Sequence, residues 1–201
     1  MKQLVVVVSL LALCVASVGA QVSAPKAPFS IYAGGSMAIP NGPTEFTDMY
    51  KAGYNGFAGL GFKAFPKTQL VAKLEYNQFP FDPIGATGID GGNTKIFMYG
   101  ADARMSLAPP AFPLKPFAFV GGGMANMSFD QFSGSNSTLV TALNTTVNGW
   151  SENKPYFNVG AGFEFMSTPA FSLFLQGRYV SVATTGGATT FVPFSLGLKF
   201  F

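Results

Sequence analysis

GYNGFAGLGFKAFPKTQLVAKLEYNQ, residues 53–78, alternates in polarity on both sides of a Pro-containing turn. In its first half, Tyr54, Ala58, Leu60 and Phe62 share one face, opposite Asn55, Gly59, Gly61 and Lys63. After Phe65-Pro66-Lys67-Thr68, Leu70, Ala72, Leu74 and Tyr76 share a face, opposite Lys73, Glu75 and Asn77. A period of two places successive side chains on opposite faces of a strand, so the stretch reads as an antiparallel hairpin. The register this predicts pairs Gly61 with Lys73 and Gly59 with Glu75, setting small residues against long charged ones.

Six more segments of this kind follow or precede it, giving eight strands at 29–39, 53–64, 69–78, 94–107, 114–127, 154–166, 171–182 and 190–201. Segment 94–107 sets Phe97, Tyr99, Ala101, Ala103 and Met105 against Asp102, Arg104 and Ser106. Segment 154–166 sets Phe157, Val159, Ala161, Phe163 and Phe165 against Tyr156, Asn158, Gly160, Gly162 and Glu164. Leu173, Leu175 and Tyr179 oppose Gln176 and Arg178, and Val192, Phe194, Leu196, Leu198 and Phe200 oppose Ser195, Gly197 and Lys199. Two segments read less cleanly. In 114–127 the bulky apolar residues are Phe117 and Phe119, followed by three glycines, and in 29–39 Tyr32 opposes Phe29, Ile31 and Met37.

The charges decide which face is which. Lys63, Lys73, Glu75, Asp102, Arg104, Glu164, Arg178 and Lys199 all lie opposite the large apolar residues of their strands. A Lys or Arg facing lipid at the bilayer midplane costs about 2–4 kcal/mol. Five such cations facing outward would cost more than the ~5–15 kcal/mol by which whole domains are stable. Pointed inward, they meet three carboxylates. The expected fold is therefore all-β, an eight-stranded antiparallel up-and-down transmembrane β-barrel with lipid outside and an interior charge network.

Composition agrees. The 201 residues are 48% hydrophobic and 15% aromatic but only 10% charged, against about 25% charged in soluble domains. Lys2, the apolar run Leu4 to Val15 and the small residues Val18-Gly19-Ala20 read as a signal peptide, residues 1–20, cleaved before Gln21. A short periplasmic segment, 21–28, then leads into the barrel at 29–201. Cys14, the single cysteine, leaves with the signal, and bulky Leu13 before it argues against a lipoprotein. Net charge is +3, with the basic residues scattered, which excludes a nucleic-acid footprint of clustered Lys and Arg.

Connections alternate in length: short at 65–68, 108–113 and 167–170, long at 40–52, 79–93, 128–153 and 183–189. Barrels of this kind put short turns in the periplasm and long loops outside. With these strands, short Pro-containing turns and the closing Phe194-Ser195-Leu196-Gly197-Leu198-Lys199-Phe200-Phe201, the chain from Pro28 onward resembles the small eight-stranded outer-membrane β-barrel family of Gram-negative bacteria. The resemblance implies location in the outer membrane, among lipid and lipopolysaccharide. It also implies a terminal aromatic signal read by the barrel assembly machinery, carried over to Phe201 with Phe200 as its lipid-facing member. Two adjacent Phe residues stand where relatives have an aromatic–X–Phe ending, so one of them is off the lipid phase.

Catalytic chemistry finds little to work with. The chain contains no histidine, and without Cys14 there is no thiol nucleophile or His/Cys metal set. A dyad drawn from Glu75, Asp102 and Glu164 is outweighed by ion pairing with the interior cations. Gly59-Leu60-Gly61 and Gly121-Gly122-Gly123 lack the residues that complete nucleotide-binding motifs. Asn126, Asn136 and Asn144 begin glycosylation-type sequons that carry no such meaning in a bacterial envelope. No enzyme activity and no cofactor is expected.

Loop 128–153 is the functional candidate. Thirteen of its 26 residues are Ser, Thr or Asn, yet it carries Phe129, Phe132 and Trp150. Long loops are often functional, and these aromatics are candidate contacts for a host or cell-surface ligand. They also suit an aromatic girdle at headgroup level, as do Phe46, Tyr50, Phe79 and Phe81. The expected role is structural or surface-interacting. A small pore or conduit for small or hydrophobic solutes, and a secreted soluble β-barrel carrier, are the alternatives.

Overall fold

The computed structural model describes residues 28–82, 89–107, 114–165 and 168–201. The expected signal peptide, most of the segment 21–28, and the turn 108–113 lie outside them. The eight wall strands are β1 (Phe29–Gly42), β2 (Gly53–Phe65), β3 (Thr68–Phe79), β5 (Thr94–Ser106), β6 (Lys115–Phe129), β8 (Ser151–Phe165), β9 (Phe171–Val182) and β10 (Thr189–Phe200). They form a closed barrel in the order β1-β10-β9-β8-β6-β5-β3-β2, each antiparallel to its neighbours. β10 closes on β1 from Ile31↔Phe200 to Gly42↔Thr190, so no wall strand keeps an open edge. Four elements of the long loops complete the set: β4 (Ile89–Gly91) pairs with β7 (Phe132–Gly134) outside the barrel, and helices α1 (Thr44–Met49) and α2 (Ser137–Val147) flank them in sequence.

The outer wall is apolar. Leu60 is 62% exposed, Phe157 55%, Leu196 55% and Leu74 54%, exposures that water would penalise and lipid would not. A soluble carrier is incompatible with such a wall. Phe29, Ile31 and Met37 point out and Tyr32 is buried, which resolves the phase of β1.

Two expectations fail, each for a physical reason. The β2–β3 register places Gly59 opposite Lys73 and Gly61 opposite Val71, two residues from the expected pairing. The hairpin closes over Pro66-Lys67, a two-residue turn, with a register shift between Lys63 and Phe65; the expected pairing assumed a four-residue connection. In β6, Phe117 and Phe119 face the interior, 2% and 5% exposed, while Val120 faces lipid. They fit inside because β8 opposes them with Gly162 and Gly160.

That device recurs around the barrel. A Cβ at Gly34, Gly160 or Gly162 would lie 2.5–2.6 Å from the ring tip of Phe57, Phe119 or Phe117. Gly197 accommodates Phe174, and Gly121 accommodates the Asp102 carboxylate, in the same way. An interior just wide enough for side chains thus takes large residues only where the adjoining strand has none. Gly162→Val is expected to destabilise the barrel by about 1–3 kcal/mol through overpacking, whereas Ala161→Val, on the lipid face, leaves it within ~0.5 kcal/mol. Urea unfolding in detergent micelles measures both.

Candidate functional site

Along β3 the inward residues run Gln69, Val71, Lys73, Glu75, Asn77 and Phe79 from the Pro66-Lys67 turn to the long-loop mouth. Along β9 they run Ser172, Phe174, Gln176, Arg178, Val180 and Val182 in the same direction. Each strand therefore brings its charged side chains to mid-height, with Val71 or Phe174 on the short-turn side of them and Phe79 or Val180 and Val182 at the long-loop end. The interior is layered as a result.

At the waist, Arg178 reaches across from β9 to bond Glu75 on β3 through Nη2 and Oε1. Lys73 Nζ lies 2.9 Å from Asp102 Oδ2 and 3.9 Å from Glu75 Oε2. Asn158 Nδ2 donates to Asp102 Oδ1 at 2.9 Å, and Asn55 Nδ2 to Glu75 Oε1 at 3.1 Å and Asn77 Oδ1 at 2.9 Å. Toward the short-turn end a second cluster forms. Glu164 Oε1 accepts from Arg104 Nη2 at 3.0 Å and Lys199 Nζ at 3.3 Å. The Arg104 guanidinium stacks 3.4 Å from the Phe117 ring centroid, with Phe174 at 4.9 Å and Tyr32 at 5.2 Å. Cation–π contact of this kind holds a buried cation that one carboxylate alone would share.

Of the eight charges read from the sequence, seven lie in these two clusters. Lys63 does not. It is on the inward phase of β2 but exposed at the strand's end, and no ion pair among the described residues includes it. Each buried carboxylate is engaged by a cation, an arrangement that suits charge balance rather than proton transfer to a substrate.

Above the waist the lumen is closed by apolar side chains: Ala38, Phe79, Ile96, Met98, Ala125, Met127, Val180, Val182 and Phe191. α1 adds Phe46 from outside the wall. Rings stack edge-on from Phe191 to Phe79 at 5.2 Å and on to Phe46 at 5.0 Å. Tyr50 and Phe81 continue the series to Phe132, 5.1 Å from Phe81. Phe46 and Phe79 are therefore an inward plug and not girdle residues. Burial pushes the Tyr50 phenol above its ordinary pKa, keeping it neutral in this apolar stack.

Loop 128–153 is folded, not irregular. Asn136 caps α2, its side chain accepting from Leu139 N at 3.2 Å. Asn144 brackets the Phe132 backbone, accepting from its N–H at 2.7 Å and donating to its carbonyl at 2.9 Å. Phe132 is buried at 8%, which removes it as a surface contact. Trp150, 39% exposed, stacks on Phe129 at 4.8 Å. Asn126 Nδ2 donates to Ser151 Oγ and Asn153 Oδ1. All three sequon asparagines thus hold loop or wall structure. Phe200 continues the lipid-facing phase of β10, pairing Ile31 and Phe171, while the Phe201 ring lies 4.9 Å from Lys199 Nζ.

Solved structures of similar shape set this geometry in context. Neisserial surface protein A (NspA) is 15% identical, with a TM-score of 0.58, over 87% of this chain and 97% of that one. The fold is that of the small bacterial outer-membrane barrels. The outer membrane protein OprG from Pseudomonas aeruginosa is 12% identical, with a TM-score of 0.51, over 86% of this chain and 94% of that one. No family model matches the sequence, and no curated protein matches it. At these identities the likeness shows the fold alone.

Removing one member of the central pair leaves an unpaired buried charge, so Arg178→Leu or Glu75→Leu is expected to cost about 3–5 kcal/mol. The double variant loses clearly less than the sum. A double-mutant cycle read from unfolding in micelles checks this, and strict additivity would mean the pair is not coupled.

Proposed function

We propose that this outer-membrane barrel is a non-enzymatic surface-interaction protein that acts through its long loops, with the short turns in the periplasm. The observation that carries this reading is the built loop platform. β4 and β7 pair outside the wall, and α2 is tied to β7 by the Asn144 bracket. From Gln131 to Ser151 the chain carries no charge. Ordering so many residues costs roughly 1–2 kcal/mol of backbone entropy each, and a loop that merely joins two strands needs none of it. Trp150 over Phe129 offers a half-exposed aromatic surface at its edge, of the amphipathic type that recurs in binding hot spots.

The closed interior supports the same reading, since a permanently open channel would need a lumen free of the Arg178–Glu75 crossing and the apolar ceiling. The exposed apolar wall at Leu60, Leu74, Phe157 and Leu196 suits outer-membrane lipid, and we assign lipopolysaccharide to the surroundings of the loop bases. Phe200 and Phe201 are the residues we assign to the barrel assembly machinery. The partner of the loops is a host or cell-surface molecule.

Bacteria displaying the protein are expected to adhere to extracellular-matrix proteins, immobilised glycans or neighbouring cells. Replacing residues 131–149 with a short Gly-Ser turn should abolish at least nine-tenths of that adhesion without preventing barrel folding, seen as heat-modifiable migration on gels. Trp150→Ala should weaken it severalfold. Adhesion unchanged by the loop replacement would overturn the proposal.

A further inference from the structure

In the two lumenal clusters, Lys73, Arg104, Arg178 and Lys199 face only Glu75, Asp102 and Glu164. Three carboxylates serve four cations. Glu75 is bonded by Arg178 and Asp102 by Lys73, so the surplus falls on Glu164, whose Oε1 accepts from both Arg104 and Lys199. Lys115, opposite Glu164 in the β6–β8 pairing, adds positive charge and no carboxylate. Lys199 lies nearest the short-turn end with its side chain 13% exposed, but that of Arg104 is 9% exposed. A buried charge without a full partner is strongly disfavoured. This one calls for a counter-charge close to Arg104.

Where the two clusters adjoin there is a cavity of about 20 Å³, lined in part by Lys73, Asp102, Arg104, Gln176, Phe119 and Phe174. One water molecule needs about 10–15 Å³ of such space, so the cavity takes a single occupant a little larger than water. Its polar lining is rich in donors. A Lys ammonium carries three N–H groups and an Arg guanidinium five. Among the described residues each side chain makes one hydrogen bond, Lys73 Nζ to Asp102 Oδ2 at 2.9 Å and Arg104 Nη2 to Glu164 Oε1 at 3.0 Å. Gln176, 9% exposed, makes none with its side chain among those residues, so its amide N–H groups are spare as well. Acceptors are scarce. Both oxygens of Asp102 are engaged, Oδ2 by Lys73 and Oδ1 by Asn158 Nδ2 at 2.9 Å. A water molecule there would find many groups to accept from and few to donate to, whereas an anion only accepts. The lining selects the sign of charge that the clusters lack.

We propose that this cavity holds one small monovalent anion, chloride in an ordinary medium, as a structural counter-ion to Lys73 and Arg104. Spare N–H groups of Lys73, Arg104 and Gln176 donate to it, and with it the charges of the two clusters sum to zero. The apolar ceiling closes the lumen on one side of the cavity, and the packed Tyr32, Val71, Phe117, Phe119 and Phe174 close it on the other. The ion is therefore taken up as the barrel folds and does not pass through. The site goes beyond the surface role proposed above and does not depend on it.

The test is urea unfolding of protein refolded into micelles, with chloride exchanged for gluconate, too large for the cavity, at constant ionic strength. A ligand held only by the folded state raises the folded-to-unfolded ratio in proportion to its concentration once its site fills, so that ratio should rise about tenfold for each tenfold rise in chloride. Gln176→Glu sets a carboxylate at the cavity wall in place of the ion. It should be at least as stable as the native chain in gluconate and should lose the chloride dependence. In crystals of native protein refolded in bromide, anomalous scattering should show one bromide between Lys73 Nζ and the Arg104 guanidinium, and this measurement stands even where Gln176→Glu folds poorly. Native stability indifferent to chloride, or water alone in the cavity of the bromide crystals, would overturn the proposal. A chloride dependence undiminished in folded Gln176→Glu would overturn its placement at this cavity.

Discussion

No ionised side chain of this wall can face hydrocarbon, and the cylinder it closes has room for little more than side chains. Those two constraints together shape the molecule. The first sends Lys73, Glu75, Asp102, Arg104, Glu164, Arg178 and Lys199 inward. The second means they cannot remain separate, because long side chains from opposite walls meet at the axis. Arg178 and Glu75 come from strands on opposite sides of the barrel and still bond directly. Buried pairs of this sort gain little net stability over apolar packing. Their value here lies in fixing register, since a strand slipped by one residue would turn its charge into lipid.

Glycine is the counterpart of that crowding. Lys73 sits between Gly59 and Gly100 on its neighbouring strands, and Phe57, Phe117, Phe119 and Phe174 each lie over a glycine of an adjacent strand. The abundance of glycine in the strands weakens their local β-propensity. Closure of the sheet and burial of the interior rings offset that loss.

The existence of the strands and the side on which charge falls were legible in the sequence, because lipid tolerates no exception to the alternation of Lys73, Glu75, Arg104 or Arg178. Phenylalanine was not legible in the same way. It is welcome in hydrocarbon and equally welcome against a glycine, so Phe117 and Phe119 carry no sign of which they face until β8 supplies Gly160 and Gly162. The β2–β3 register depended on the length of one turn, which composition does not set. In the loops, half of residues 128–153 being Ser, Thr or Asn concealed a helix. Its signals were present: Asn136 at the cap position, then Leu139 and Leu143 four apart. Phe46 and Phe79 share composition with girdle aromatics, and only the fold of α1 over the mouth separates the two roles.

The central claim is the two-solvent arrangement itself, and contact between side-chain methyls and detergent chains reports it directly. In methyl-labelled protein refolded into micelles, nuclear Overhauser effects from detergent acyl protons should reach Leu60, Leu74, Leu175 and Leu196. They should be absent at Val71, Val180 and Val182. Detergent contacts at the three valines, with none at the four leucines, would contradict the account.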